Sequence, residues 1–297
     1  MRNGFEQPKP HLAESAVDRS SFNPRCIPHV RSILPALTRA QGMRLRALLQ
    51  DKRVRAKERA FVTEGAKAVH DLLVRFPRCI LSLVMTPTYL AREDAAARRL
   101  RSGVTAKQYS CSDVLFGRLS DLDAPQGILA VARQATWDEE AVLRQSAVLG
   151  IFGEQLQDPA NVGAIIRTAA ALNVGALWLT RESADVYNPK VVRATSGALL
   201  SLPIFEANDV SRFIRHECRI YAADVPGHGA TPIDEISEVP RKLILAVGSE
   251  GRGLSAETRK AAALRFTIPL SRDVESLNVA ATTAIATFHL RRLRQVG

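Results

Sequence analysis

From Ala147 onward the chain alternates short apolar runs with segments of helical spacing, and this alternation restricts the fold more than any other feature. The runs are AVLGIF, ALWLT, PIF, RIYAAD, KLILAVG and FTIPL. Between them lie Asn161–Leu172, NPKVVRATSGAL, DVSRFIRHE and SAETRKAAA, and the chain closes with SLNVAATTAIATFHLRRLRQ. Strands that are apolar throughout, each followed by a helical segment, predict a parallel sheet covered on both faces. No internal repeat or low-complexity tract interrupts the pattern.

A second α/β unit is expected upstream. From Gly42 the basic segment MRLRALLQDKRVRAKERA reads as a helix, FVTEG as a strand, AKAVHDLLVRF as a helix and CILSLVMT as a buried strand. PTYLAREDAAARRLRSG opens with Pro87, which suits a helix start, and APQGILAVAR closes the unit as a strand. The expected division is a small α/β domain over residues 42–137 and a parallel-sheet domain over 143–297, joined by the linker QATWDEEAVLRQS. Residues 1–41 carry Pro8, Pro10, Pro24, Pro28 and Pro35 without sustained periodicity and are expected to form a disordered or loosely ordered extension.

The balance of 41 Lys and Arg against 30 Asp and Glu leaves a net charge of +11. Such an excess favours a polyanionic partner, because each cation can neutralise a phosphate and release its counterions. Cys26, Cys79, Cys111 and Cys218 are far apart and form no CxxC pair, so neither a zinc ribbon nor a redox dithiol is expected. Widely spaced cysteines in a long chain point to a reducing cytosol, hence a cytoplasmic protein. His70, His216, His228 and His289 have no ligand spacing and read as structural or surface residues; no metal is expected. No apolar run approaches the roughly 20 residues that span a bilayer.

Three loops at the carboxyl ends of predicted strands concentrate glycine and polar residues, and in open α/β sheets that edge binds ligands. They are GEQLQDPANVG, VGSEGRGLS and IPLSRDVESLNVA. In the second, Gly248, Gly251 and Gly253 permit positive φ and close backbone approach to a ligand, with Glu250 held among them. Their order is not that of the dinucleotide fingerprint, and no phosphate-binding P-loop occurs, which counts against a nicotinamide-dependent oxidoreductase. In the third, Ser276 is expected to begin the last helix as its cap or in its first turn, with Asn278 just inside. The first supplies Asn161, Gly163 and Arg167. Asn161 and Arg167 are six residues apart on one helix, about 120° apart in roll, yet a long arginine can reach back toward the helix start. Arg167 is therefore expected at the edge where the three loops meet.

The order N-x-G-x-x-x-R-x-A from Asn161 to Ala169, then VGSEGRGLS, then IPL…ESLNVA resembles the three motifs of the SpoU/TrmH family of S-adenosylmethionine-dependent RNA ribose 2′-O-methyltransferases. The resemblance covers about Ser146 to Leu293, with a further match at VVRATSGAL. FVTEG and APQGILAV more loosely resemble the ribosomal-protein-like RNA-binding domain that many members carry upstream. The resemblance implies a deep trefoil knot, a homodimer with the active site at its interface, and S-adenosylmethionine as cofactor. By motif it implies Gly248, Ile268 and Leu277, with Val247, Leu270 and Asn278, as cofactor-binding residues. It implies Arg167, Asn161, Glu250, Ser276 and Asn278 as the catalytic set.

Arginine stays protonated in proteins, so Arg167 suits a charged role, holding a phosphate and polarising the hydroxyl, better than that of a base. Arg272 stands where many relatives have glycine, which puts the cofactor loop in question. The implied substrate is structured RNA, with rRNA favoured over tRNA by the upstream domain. A tRNA 2′-O-methyltransferase and a non-catalytic RNA-binding protein on the same fold are the alternatives.

Overall fold

The computed structural model describes residues 34–225, 229–271 and 274–296. His228, Arg272 and the extension as far as residue 33 lie outside them. Among the described residues a four-stranded and a seven-stranded sheet organise the molecule, with a two-stranded pair beside them. The upstream unit runs α1 (Arg39–Gln50), α2 (Lys52–Glu58), β1 (Ala60–Glu64), α3 (Ala66–Arg75), β2 (Ile80–Met85), α4 (Pro87–Arg92), α5 (Ala95–Ser102), β3 (Lys107–Ser110), α6 (Asp113–Leu119) and β4 (Ile128–Arg133). Its four strands take the order β1-β4-β2-β3, with β4 antiparallel to both neighbours and β2 parallel to β3.

Three expectations for this unit change. The expected basic helix is two helices, because Asp51 ends α1 and caps α2 by accepting from the Arg53 N–H. The helix predicted from Pro87 breaks likewise where Asp94 caps α5. The ordered fold also starts before Gly42. Thr38 and Gln41 form a capping box for α1, and the backbone around Pro35 to Leu37 pairs with Ser110 beside β3. Strand β3 and helix α6 carry weak period signals and were not foreseen.

The downstream unit follows α7 (Glu139–Leu143) and runs β5 (Val148–Glu154), α8 (Pro159–Ala171), β6 (Ala176–Leu179), α9 (Pro189–Ala194), β7 (Ile204–Glu206), α10 (Ser211–Arg215) and β8 (Arg219–Ala223). It continues through β9 (Thr231–Pro232), β10 (Glu238–Pro240), β11 (Lys242–Gly248), α11 (Ala256–Ala261), β12 (Leu264–Thr267), α12 (Val279–Leu290) and β13 (Arg294–Val296). The expected parallel sheet is present, in the order β7-β6-β5-β11-β8-β12-β9 with every pairing parallel. Strands β10 and β13 pair apart from it.

From β5 the chain moves outward through β6 to β7, whereas β8, β11 and β12 lie on the other side. The order therefore switches between β5 and β11, and loops leaving those strands diverge to open a crevice. Helix α8 packs on α9 and α12 above this point. Gly163 permits the first contact: a Cβ there would lie 2.3 Å from the Ala194 Cβ.

The segment expected to be a linker is docked. Val142 and Leu143 of α7 are buried, and Glu139 accepts hydrogen bonds from the Trp178 indole and the Arg212 guanidinium. One hydrophobic cluster also runs from Phe61, Leu72 and Leu83 of the upstream unit into Ile151, Val162 and Val191 of the downstream one. Across that junction the buried Arg55 guanidinium donates to the Asp185 carboxylate at 2.7–2.8 Å and to the last carbonyls of α1.

Candidate functional site

The three loops meet at the carboxyl edge of the parallel sheet, at the switch between β5 and β11. Glu154 ends β5 almost fully buried, and its carboxylate accepts from the backbone N–H of Ser255, at the far end of the loop after β11. This ties the first two loops together. The loop after β11 folds back on itself, with a backbone bond from Gly253 N–H to the Ser249 carbonyl. A Cβ on Gly248 would fall 2.1 Å from the Gly253 carbonyl carbon. The closeness expected between Gly248 and a ligand is thus realised first within its own loop. Of the three glycines there, Gly253 takes positive φ.

Asn161, Glu250 and Asn278 come together as a hydrogen-bonded ring. Asn161 Nδ2 donates to Glu250 Oε1 at 2.9 Å, Asn278 Nδ2 to the same oxygen at 2.8 Å, and Asn278 Nδ2 also to Asn161 Oδ1 at 2.8 Å. One residue comes from each loop. Asn161 sits in the first turn of α8, whose cap is Asp158. Asn278 is the cap of α12, its Oδ1 accepting from the N–H groups of Ala280 and Ala281. This corrects the sequence expectation: Ser276 precedes the helix, and Asn278 is the cap rather than an interior residue. An Asn whose oxygen caps a helix has its amide free to bind a carboxylate, so a single side chain fixes both helix and ring.

Through Glu250 the ring reaches two adjoining cavities, and Asn161 also lines the second. The first, of about 340 Å³, is lined by Val247, Gly248, Ile268, Leu270, Ser276 and Leu277 among others, with Glu250 and Glu275. Five of the six residues expected at the cofactor line it; Asn278 belongs to the ring instead. The second, of about 310 Å³, is lined by Gln155, Leu156, Gln157, Asp158 and Asn161. Both share Ser249, Glu250, Gly251, Arg252 and Val279 as walls.

Arg167 is not brought to this place. It is exposed on α8, lines neither cavity and has no hydrogen-bond or ion-pair partner among the described residues. Six residues of helix carry it about 9 Å along the axis from Asn161, and the roll turns it to solvent. The reach back to the loops is not made within one chain.

Sequence reasoning missed Gln155, Arg252 and Asp224. Gln155 adopts φ 54°, and its backbone N–H is held by the Thr180 hydroxyl. Arg252 is an exposed cation on the wall common to both cavities. Asp224 follows β8 and lines the first cavity. Polar residues directly after an apolar strand are the available signal for Gln155 and Asp224; Arg252 stands between the glycines of its own loop.

Comparison with known proteins gives a consistent result. Residues 149–288 match the sequence model of the SpoU rRNA Methylase family, and residues 43–130 match that of the MRM3-like substrate binding domain. The 23S rRNA (guanosine(2553)-2′-O)-methyltransferase RlmP of Bacillus subtilis is 29% identical over 246 residues, covering 82% of this chain and 93% of that protein. An uncharacterized tRNA/rRNA methyltransferase of Mycobacterium tuberculosis is 30% identical over 240 residues, covering 78% and 80%. Among solved structures, a TrmH-family protein from Porphyromonas gingivalis superposes with a TM-score of 0.70 at 34% identity, covering 86% of this chain and 99% of that one. The AdoMet-bound rRNA methyltransferase from Sinorhizobium meliloti gives 0.71 at 26% identity, covering 87% and 97%.

Proposed function

Because this chain belongs to the SpoU/TrmH family, we propose that it transfers the methyl group of S-adenosylmethionine to a ribose 2′-hydroxyl of rRNA. The observation that carries this reading is the pair of adjoining cavities whose common lining includes Glu250, held in place by Asn161 and Asn278.

The first cavity suits the cofactor. Its apolar walls, Val247, Ile268, Leu270 and Leu277, fit a flat purine, and Glu250 and Glu275 complement the positive charge of a sulfonium and an amine. The bound cofactor supplies an electrophilic methyl group. The chain's own residues hold the hydroxyl in line with it, which is where most of the rate gain in such a transfer arises. Both Asn amides donate to Glu250 Oε1, so the carboxylate is fixed in orientation at the wall. Ser276 in the lining of the cofactor cavity adds a hydroxyl to it.

Arg167 acts through a homodimer. Ala160, Arg167 and Ala171 on α8, and Ala281, Ile285 and Phe288 on α12, form exposed stripes on two packed helices. A second copy covering these stripes places Arg167 at the seam between the two chains, where it can hold an RNA phosphate. Light scattering on the purified protein is expected to give twice the 32.5 kDa chain mass. The family's trefoil knot belongs to the same reading. So does a cytoplasmic location beside the ribosome; no helix of the described residues is long and apolar enough to cross a membrane.

The decisive assay incubates the protein with labelled S-adenosylmethionine and rRNA from a strain lacking the enzyme. Label is expected at one ribose 2′-position. Label in tRNA alone replaces the substrate, and no label in any RNA overturns the reading.

A further inference from the structure

The second cavity lies beside the one that suits the cofactor, and its position restricts what it can hold. A reacting hydroxyl must approach the methyl carbon to about 3–3.5 Å, so the ribose has to sit against the cofactor cavity. The second cavity is the candidate because it adjoins the first, with five lining residues in common. At about 310 Å³ it falls at the lower end of ligand-sized pockets, large enough for one nucleoside but not for a stacked pair.

Beside Asn161 and Glu250, the lining includes Gln155, Leu156 and Gln157. This stretch is held rigidly. The buried hydroxyls of Thr180 and Ser183 accept from the N–H groups of Gln155 and Leu156, at 2.9 and 3.1 Å, and contact each other at 3.3 Å. The carboxamide of Gln155 has no hydrogen-bond partner among the described residues. A carboxamide offers one acceptor and two donors on one plane, which is the equipment for reading a base edge. Arg252 stands on the common wall, where the phosphate of a nucleotide whose ribose lies at the ring would project.

We propose that the second cavity receives the target nucleotide unstacked from the RNA, with Gln155 reading its base and Arg252 holding its phosphate. The proposal rests on the methyl-transfer reading and extends it from the ribose, which every nucleotide has, to the base, which distinguishes them. Asn161 and Glu250, which line the same cavity, face the 2′-hydroxyl.

The test uses the full-length protein and a transcript of the methylated rRNA region in four versions, one for each base at the target position. Wild type is expected to prefer one base. Gln155→Ala is expected to lose roughly 5- to 100-fold in kcat/KM on that base, the discrimination of one good bidentate contact, and to treat the four versions alike. Its affinity for S-adenosylmethionine, measured by calorimetry, stays at the wild-type value, which also shows that it folds. Arg252→Gln is expected to raise KM for all four versions equally, as loss of a phosphate contact does. A wild type indifferent to the base, or a Gln155→Ala protein that keeps the wild-type preference, overturns the assignment of the cavity while leaving methyl transfer standing. A wild type that methylates none of the transcripts and no natural RNA overturns the underlying reading as well.

Discussion

Single residues in this site serve structure and chemistry to different degrees, and substitutions separate the two. Arg167 has no partner among the described residues, so Arg167→Ala is expected to leave stability within about 0.5 kcal/mol of wild type. Cofactor binding should persist while methyl transfer is lost; full activity in the rRNA assay would remove Arg167 from the catalytic set. Asn278 is the opposite case. Asn278→Ala removes the cap of α12 together with two bonds of the ring, at a cost of about 1 kcal/mol for the cap alone. Asn278→Asp keeps the capping oxygen but places a second carboxylate against Glu250. It is expected to recover most of the thermal stability, by calorimetric Tm, without recovering turnover. Gly248→Ala has no rotamer in which to escape, since its Cβ meets backbone at 2.1 Å. The loop after β11 must open, and S-adenosylmethionine binding by calorimetry is expected to disappear.

At the scale of elements, the two sheets are coupled by a buried ion pair rather than by a tether. Arg55 has a side-chain exposure of 4%, and its charge is met by Asp185 and by the α1 carbonyls. Asp185→Ala leaves that guanidinium buried and short of its counter-charge, and the expected loss is roughly 3–5 kcal/mol in urea unfolding. Asp185→Glu, which restores the charge, is expected to recover part of it. Sequence alone could not show this contact, because 130 residues separate the partners and each looks like an ordinary surface charge. The element pattern itself was more legible. Long apolar runs such as KLILAVG announced their strands, whereas Lys107–Ser110, half exposed at a sheet edge, did not. Helices predicted as single units broke at Asp51 and Asp94, where a side-chain acceptor competes with the continuing helix.

The whole molecule is held by a core that crosses the boundary between its two sheets. Burial has a chemical consequence for the thiols. Burial pushes Cys79 from about 9 up to about 12, and Cys111 up to about 11. A thiol whose folded value is raised favours the native state fully below its unfolded value and loses that contribution as pH rises. Native stability is therefore expected to fall between about pH 9 and 12, measured by urea midpoints across that range. At pH 8 the peptides bearing Cys79, Cys111 and Cys218 should resist iodoacetamide until the protein unfolds, read by mass spectrometry.

The sequence by itself determined the alternating strands and helices, the parallel sheet, and the three loops that supply Asn161, Glu250 and Asn278. These follow from local period and residue type, which a linear chain displays. Only the tertiary structure decided how those loops touch. It made Asn278 a cap, sent Arg167 to solvent, folded the Gly248 loop onto itself and opened a second cavity beside the first. The meeting of the loops depends on strand order: placing β11 next to β5, across 87 intervening residues, brings Glu250 to Asn161, and no local period encodes that adjacency.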